Sequence, residues 1–187
     1  MTGEMLGVGE MPVDSLTSKE NESTRFKTDI RTDFGEAEVF SSMVGTLMRA
    51  RGWSEEIAGG FVTAIDDALK NAIEHGNMGL KRLPVGQEEV YNGERDRLAK
   101  VKEVIDKEIH IEFDLNNEEA MIAITDQGKG FKPEDLPNPT DKEGLMRLDG
   151  RGVYMMLTEG HAKYSNKGKT VEIYMDRNQP LPQKREE

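Results

Sequence analysis

A cluster of polar residues between positions 66 and 76 has the residue types and the spacing for chemistry on a bound ligand. Asp67, Asn71 and Glu74 recur at i, i+4 and i+7, so an α-helix would place all three on one face. An amide oxygen and a carboxylate one turn apart can hold Mg²⁺ and orient a hydroxyl group. A solvated helix flank gives the same pattern, because short motifs often match by chance.

A second cluster, Asp-Gln-Gly-Lys-Gly-Phe at residues 126–131, follows a segment with a strong strand pattern. The carboxylate of Asp126, fixed at the end of that strand, can accept a hydrogen bond from an exocyclic amine. Gly128 and Gly130 allow the backbone to approach a ligand closely or to hinge a lid. For this hexapeptide alone, an ordinary glycine-rich turn is the alternative.

A third cluster, Gly150, Arg151, Gly152 and Val153, stands at the start of a helix predicted over residues 152–159. Glycines that open a helix leave N–H groups free, and the positive end of the helix dipole attracts phosphate. The preceding segment, 128–150, is rich in Gly, Pro, Asp and Lys, which is typical of a long loop. A loop in that place favours a lid that closes over a ligand.

Residue periodicity predicts the elements that position these clusters. Apolar residues at i, i+3 and i+4 predict helices over 36–51 and 54–76, with Thr32 or Asp33 and Ser54 as N-caps. Alternation predicts an edge strand first and a central hairpin that turns at Asn116-Asn117. The five predicted strands are 25–31, 109–113, 120–124, 161–165 and 170–175.

The segment 81–108 is an excursion of alternating charge between the second helix and the next strand. Leu98, Val101 and Ile105 are spaced to lie on one side of a helix, which leaves the other positions solvated. An extra helix that recognises a partner or a second copy of the chain is one interpretation. A solvated excursion without a partner is the other.

Composition excludes several classes of function. The chain has 187 residues, no cysteine and a net charge of -11, so disulfide frameworks, thiolate catalysis and cysteine metal sites are excluded. No apolar run is long enough to cross a membrane, and a pI near 4.9 disfavours nucleic acid and anionic lipid as partners. Because the first residues lack a basic segment, we expect a cytoplasmic protein without a secretory signal. Residues 1–24 and 177–187 are expected to be a flexible arm and tail.

The order of four motifs resembles that of the Bergerat-fold ATPases, which include gyrase, heat-shock chaperones and histidine kinases. The motifs are an Asn-box at 67–76, Asp-x-Gly-x-Gly-Phe at 126–131, Gly-x-Gly at 150–152 and Gly-x-Thr at 168–170. The short chain and its GRGVYMMLTEGHAKY segment resemble the anti-sigma factor serine/threonine kinases of bacterial partner switching. The resemblance covers about residues 25–176, the expected ATPase domain.

The resemblance implies a fold and a set of nucleotide-binding positions. The fold is a two-layer α/β sandwich of the α+β kind, in which helices cover one face of a mostly antiparallel mixed sheet. Asn71 corresponds to the Mg²⁺-binding asparagine, Asp126 to the aspartate that recognises the adenine amino group, and 132–149 to the ATP lid. Residues 150–152 would meet the phosphates and Thr170 would complete the adenine pocket. The other implied nucleotide-binding positions are Gly128, Gly130, Phe131 and Val153.

The resemblance also implies phosphorylation of a serine or threonine of an anti-sigma factor antagonist, sequestration of a sigma factor, and a homodimer. The general base of such kinases is normally a glutamate four residues before the asparagine, and here it is Asp67. The missing methylene moves the carboxylate by roughly 1.5 Å, which can cost about 100-fold in rate. The alternative is a nucleotide-gated regulator without kinase activity, acting through the lid or the 81–108 insert.

Overall fold

In the described part of the chain the sheet has five strands in the order β1-β2-β3-β5-β4, and every pairing among them is antiparallel. The structure is a computed structural model that describes residues 23–81, 86–132 and 161–178. It confirms the α+β class, and no parallel pair of the expected mixed sheet occurs in these ranges. The strands are β1 Thr24–Arg31, β2 Glu108–Leu115, β3 Glu119–Thr125, β4 Ala162–Ser165 and β5 Thr170–Asp176.

Strict alternation in the strands separates a buried face from an open one. Ile111 of β2, Ile122 of β3 and Ile173 of β5 are fully buried on the inner face. Charged residues dominate the outer face of β1 and β2, where cross-strand ion pairs such as Lys27–Glu112 join the two strands. The prediction that the first strand lies at the sheet edge is confirmed.

Two long helices, α1 Phe34–Ala50 and α2 Glu55–Asn71, provide the second layer. Each begins at a predicted cap: the Asp33 side chain accepts from Glu36 N, and the Ser54 side chain accepts from Ile57 N. Phe61, a fully buried residue of α2, contributes about 1.5–3 kcal/mol to folding by leaving water. The helices therefore cover the inner face of the sheet, as expected.

The single tryptophan, Trp53, is buried in the short loop between α1 and α2. Its indole Nε1 donates a hydrogen bond of 3.2 Å to the carbonyl of Asn116. Asn116 begins the turn between β2 and β3, where its side chain accepts from the N–H groups of Glu118 and Glu119. The predicted hairpin turn is confirmed.

The second helix ends at Asn77, one residue past the predicted end at Gly76, but its last turn is not α-helical. From Ala72 to Asn77 the chain forms a π-helical turn, here called the π turn, in which Met78 N donates to Ile73 O. A π turn is rare and frequently occurs at functional sites. Here it aims Gly76 and Asn77 at the end of β3.

Over its described residues 86–108, the charged insert forms two helices, α3 Glu88–Leu98 and α4 Lys102–Ile105, instead of the single predicted one. Extended backbone at Val101 separates them, which changes the side that each residue presents. Val104 is consequently buried, whereas Ile105 is 42% exposed. The predicted apolar side is therefore wrong at Ile105.

Several predictions lie outside the described residues. They are the arm over 1–22, the lid over 133–149, the phosphate positions Gly150, Arg151, Gly152 and Val153, the helix over 152–159 and the tail from 179. Within the described ranges, no helix combines the length and the apolar character that a membrane span requires.

Candidate functional site

The end of the Asn-box and the start of the second motif are in direct contact. A β-carbon added to Gly128 would lie 2.3 Å from the carbonyl oxygen of Gly76. A β-carbon added to Gly76 would lie 2.7 Å from Oδ1 of Asp126. Both distances are too short for any side chain, so both glycines are needed for this approach. Two motifs that stand about fifty residues apart in the sequence therefore form one site.

Asp126 follows the last residue of β3 and is half-buried. Its Oδ1 accepts a 2.7 Å hydrogen bond from Gly128 N, which fixes the carboxylate against its own loop. Burial raises the pKa of Asp126, while that hydrogen bond and the charges of Lys169 and Lys107 act in the opposite direction. A partly desolvated carboxylate with a fixed orientation is a strong acceptor for an amine of a ligand.

The β5 side of the site brings the fourth motif to the second. Thr170 pairs with Thr125 in register, and their hydroxyl oxygens are 2.9 Å apart. Phe131 N donates 2.9 Å to Lys167 O, and a β-carbon on Gly130, whose φ is +73°, would lie 2.3 Å from that oxygen. Gly130 is thus required both by its backbone angle and by its close contact with the turn between β4 and β5.

Phe131 closes this side of the site with an exposed aromatic ring. The ring is 38% exposed and packs edge-to-face on Tyr164, with a centroid distance of 4.9 Å. An aromatic surface beside a strand-end carboxylate suits a flat heterocycle that also carries an amine. The residues of the second and fourth motifs that the sequence singled out are therefore assembled at one end of the sheet.

Asp67 and Asn71 lie one turn apart on α2, and both are half-buried. Asn71 is the last residue of α2, directly before the π turn. Glu74 does not join them: it is 3% exposed and its Oε2 accepts a 2.9 Å hydrogen bond from the Tyr91 hydroxyl. The pattern predicted one helical face for all three residues, but in the structure the π turn and α3 enclose Glu74.

Sequence reasoning missed the roles of two residues of the π turn, Glu74 and Asn77. Glu74 anchors α3 through Tyr91 and through Arg95, whose Nη1 lies 3.7 Å from Oε1. Asn77, which is 1% exposed, accepts from Gln127 N at 2.7 Å. The only available signal was a polar residue on each side of His75-Gly76, and its spacing pointed to no partner.

The donor set fits a magnesium ion held mainly by a nucleotide. In the described part of the chain, no group of three or more His, Cys, Asp or Glu side chains is arranged for a metal. Mg²⁺ in nucleotide sites usually takes one or two protein oxygens and completes its shell with phosphate and water. The amide oxygen of Asn71 at the end of α2 meets that requirement.

Comparison with known proteins agrees with this geometry. The family model of the histidine kinase-like ATPase domain matches residues 34–175, from the first residue of α1 to the penultimate residue of β5. The match contains all four motifs. A search of curated proteins gave no significant match.

Proposed function

The chain belongs to the histidine kinase-like ATPase domain family, and on that premise we propose that it is an ATP- and Mg²⁺-dependent kinase of a serine or threonine on another protein. The proposed substrate is an anti-sigma factor antagonist, and the same chain sequesters a sigma factor until partners exchange. The motif order supports this specific role, whereas the family match supports ATP binding by a Bergerat-type domain. Phosphate transfer would then couple ATP to the choice of protein partner.

One observation carries the proposal: Gly76, Asp126 and Gly128 pack so closely that only glycine fits at two of the three positions. This packing holds the proposed adenine acceptor against the helix that carries Asn71. ATP spans such a site with its amino group at Asp126 and its phosphates toward α2. Phe131 and Thr170 then line the base on the β5 side.

In the proposed reaction the protein contributes positioning and charge neutralisation. When bound, Mg²⁺ would be held by Asn71 and would neutralise charge on the triphosphate. Asp67, one turn earlier on α2, takes the proton from the substrate hydroxyl. The hydroxyl oxygen forms a bond to the γ-phosphorus, the bond to the β–γ bridging oxygen breaks, and ADP leaves with that electron pair.

The test is ATP binding with and without Mg²⁺, followed by transfer of labelled γ-phosphate to a candidate antagonist protein. Asn71→Ala should abolish the Mg²⁺-dependent part of ATP binding, and Asp67→Asn should abolish transfer while ATP still binds. Asp66→Asn is the matched control, because Asp66 is exposed on the same helix and points about 100° away. Normal turnover by Asn71→Ala would overturn the proposal.

The second candidate is a nucleotide-gated regulator without kinase activity. The contact of Glu74 with Tyr91 and Arg95 favours it, because this contact joins the charged insert to the turn that follows Asn71. The aspartate at position 67 favours it as well, since its carboxylate is one methylene short. Mg²⁺-dependent binding without transfer, with transfer restored by Asp67→Glu, would select this candidate.

A further inference from the structure

We propose that Asn77 is a positioning residue that holds the Asp126 loop in the geometry needed to select adenine. This inference rests on the proposed function, because it assigns Asp126 the recognition of the base. It goes further in naming a residue that does not touch the nucleotide yet sets its specificity. The argument depends on the hydrogen bonds of a single buried amide.

The side chain of Asn77 is 1% exposed and uses all of its polar atoms within the protein. Its Oδ1 accepts from Gln127 N at 2.7 Å, and its Nδ2 donates to Thr32 Oγ1 at 2.8 Å and to Glu108 O at 3.2 Å. The amide thus joins the π turn to the loop after β3, to the start of β2 and to the loop before α1. A buried amide with three bonds is fixed in place.

The neighbouring groups also determine which way the amide points. Thr32 Oγ1 donates its own proton to Lys107 O at 2.7 Å, so toward Asn77 it acts only as an acceptor. Glu108 O is a carbonyl and likewise accepts. Nδ2 must therefore face these two oxygens, and Oδ1 must face the N–H of Gln127. Lys107 Nζ holds the backbone carbonyl of Asn77 as well.

Gln127 lies between Asp126, the proposed adenine acceptor, and Gly128, whose N–H donates to the Asp126 carboxylate. Holding its N–H fixes the peptide plane that joins it to Asp126. With the backbone fixed there, the bond from Gly128 N sets the direction of the Asp126 carboxylate. Gly76, the residue before Asn77, lies against the Asp126 carboxylate. Two consecutive residues of the π turn therefore position Asp126, one by contact and one by a hydrogen bond.

A purely structural role for Asn77 predicts a different outcome from a positioning role. A structural residue would lower stability and weaken all nucleotides alike. A positioning residue would weaken ATP more than GTP, because GTP carries an oxygen where adenine carries the amino group. The ratio of the two affinities is therefore the diagnostic quantity.

The experiment measures the affinities of the full chain for Mg²⁺-ATP and Mg²⁺-GTP by calorimetry, together with thermal unfolding. For Asn77→Ala we expect about tenfold weaker ATP binding, the size of one lost hydrogen bond, and an unchanged affinity for GTP. Thr32→Val is the matched control: it removes a partner on the far side of the amide, so stability should fall and the ATP:GTP ratio should stay. Asn77→Asp keeps the oxygen that accepts from Gln127 N but places its second oxygen against the acceptors Thr32 Oγ1 and Glu108 O. This variant should therefore lose stability and retain most of the ratio of ATP affinity to GTP affinity.

The outcomes separate this inference from the function on which it rests. If the wild-type protein binds no ATP, the proposed function is contradicted. If the wild-type protein prefers ATP over GTP and folded Asn77→Ala keeps the same preference, only the positioning role of Asn77 is overturned. The same holds if Thr32→Val reduces the ratio as much as Asn77→Ala does. If Asn77→Ala does not fold, Asn77→Asp is the deciding variant. A folded Asn77→Asp that no longer prefers ATP over GTP overturns the positioning role of Asn77.

Discussion

The backbone of Gly76 lies directly against the side chain of Asp126, so that a β-carbon on Gly76 would stand 2.4 Å from the carboxylate carbon. No real pair of carbon atoms tolerates that separation without movement. The contact joins the turn after α2 to the loop after β3. The position of the proposed adenine acceptor thus depends on the absence of one methyl group.

Gly76→Ala should move Asp126 and lower the affinity for ATP about tenfold or more, because the carboxylate loses its alignment with the amine. Crowding at this contact should also cost about 1–3 kcal/mol of unfolding free energy. Gly59→Ala is the matched control, since a β-carbon at Gly59 of α2 meets nothing within 4 Å. The free energy of unfolding of Gly59→Ala should rise by about 0.5–1 kcal/mol, and this variant should bind ATP normally. Calorimetry and urea unfolding measure both effects, and equal ATP affinities would contradict the proposed contact.

Asp126 should make ATP binding depend on pH. Burial raises its pKa above the ordinary 3.8, so the carboxylate takes up a proton, and ATP affinity falls, at a pH above that value. Titration of ATP affinity from pH 7 downward should show this loss for the wild type. Asp126→Asn should bind ATP weakly without that pH dependence. A wild-type affinity that is constant down to the ordinary aspartate range would argue against Asp126 as the acceptor.

The same raised pKa has the opposite consequence for stability. A carboxyl group with a raised folded-state pKa stabilises the fold below its unfolded pKa, and this contribution is lost as the pH rises through the folded pKa. At pH 7 the ionised Asp126 therefore costs stability. Asp126→Asn should raise the free energy of unfolding at pH 7 and lose that advantage in acid. Denaturant unfolding of the wild type and of Asp126→Asn, at pH 7 and in acid, measures this difference in unfolding free energy.

Tyr91→Phe should test the anchoring of α3 to the π turn. Without the hydroxyl, Oε2 of the buried Glu74 loses its donor, which should cost about 1–3 kcal/mol. Tyr174→Phe is the control, because its hydroxyl donates to Glu172, which keeps an ion pair with Lys163. Urea unfolding should show a clearly smaller loss for Tyr174→Phe. Equal losses would mean that the Tyr91–Glu74 bond has no special weight.

Two adjacent residues of α4 test how the insert packs. Val104 is 7% exposed and Ile105 is 42% exposed, so Val104→Ala should cost about 1–2 kcal/mol and Ile105→Ala less than about 0.5 kcal/mol. Periodicity alone places Ile105 inward and predicts a larger cost there. Unfolding free energies of the two variants decide between these arrangements.

The elements that periodicity predicted well are those whose partners repeat along the chain. The alternation of Ile109, Ile111 and Phe113, and the stripe of Phe61 and Ile65, match the observed buried positions because one whole face of each element meets the core. The caps Asp33 and Ser54 were also correct, since a cap acts within a few residues of itself.

The remaining features depend on contacts between distant parts of the chain. The π turn at the end of the second helix brings Gly76 and Asn77 against residues about fifty positions later, and no local pattern records that contact. Glu74 shares its spacing with Asn71 yet is enclosed by Tyr91 from the insert. The insert was predicted as one helix because the break at Val101 depends on backbone angles and not on residue type.

The hydrogen bond from Trp53 to Asn116 places the sole indole of the protein at the opposite end of β3 from Asp126. Seven strand residues separate these ends, which corresponds to about 20 Å. Tryptophan fluorescence should therefore report melting of the fold and stay silent when a nucleotide occupies the far end. Trp53 is therefore an intrinsic fluorescence probe of folding, which distinguishes a loss of ligand binding from a loss of folding in each variant.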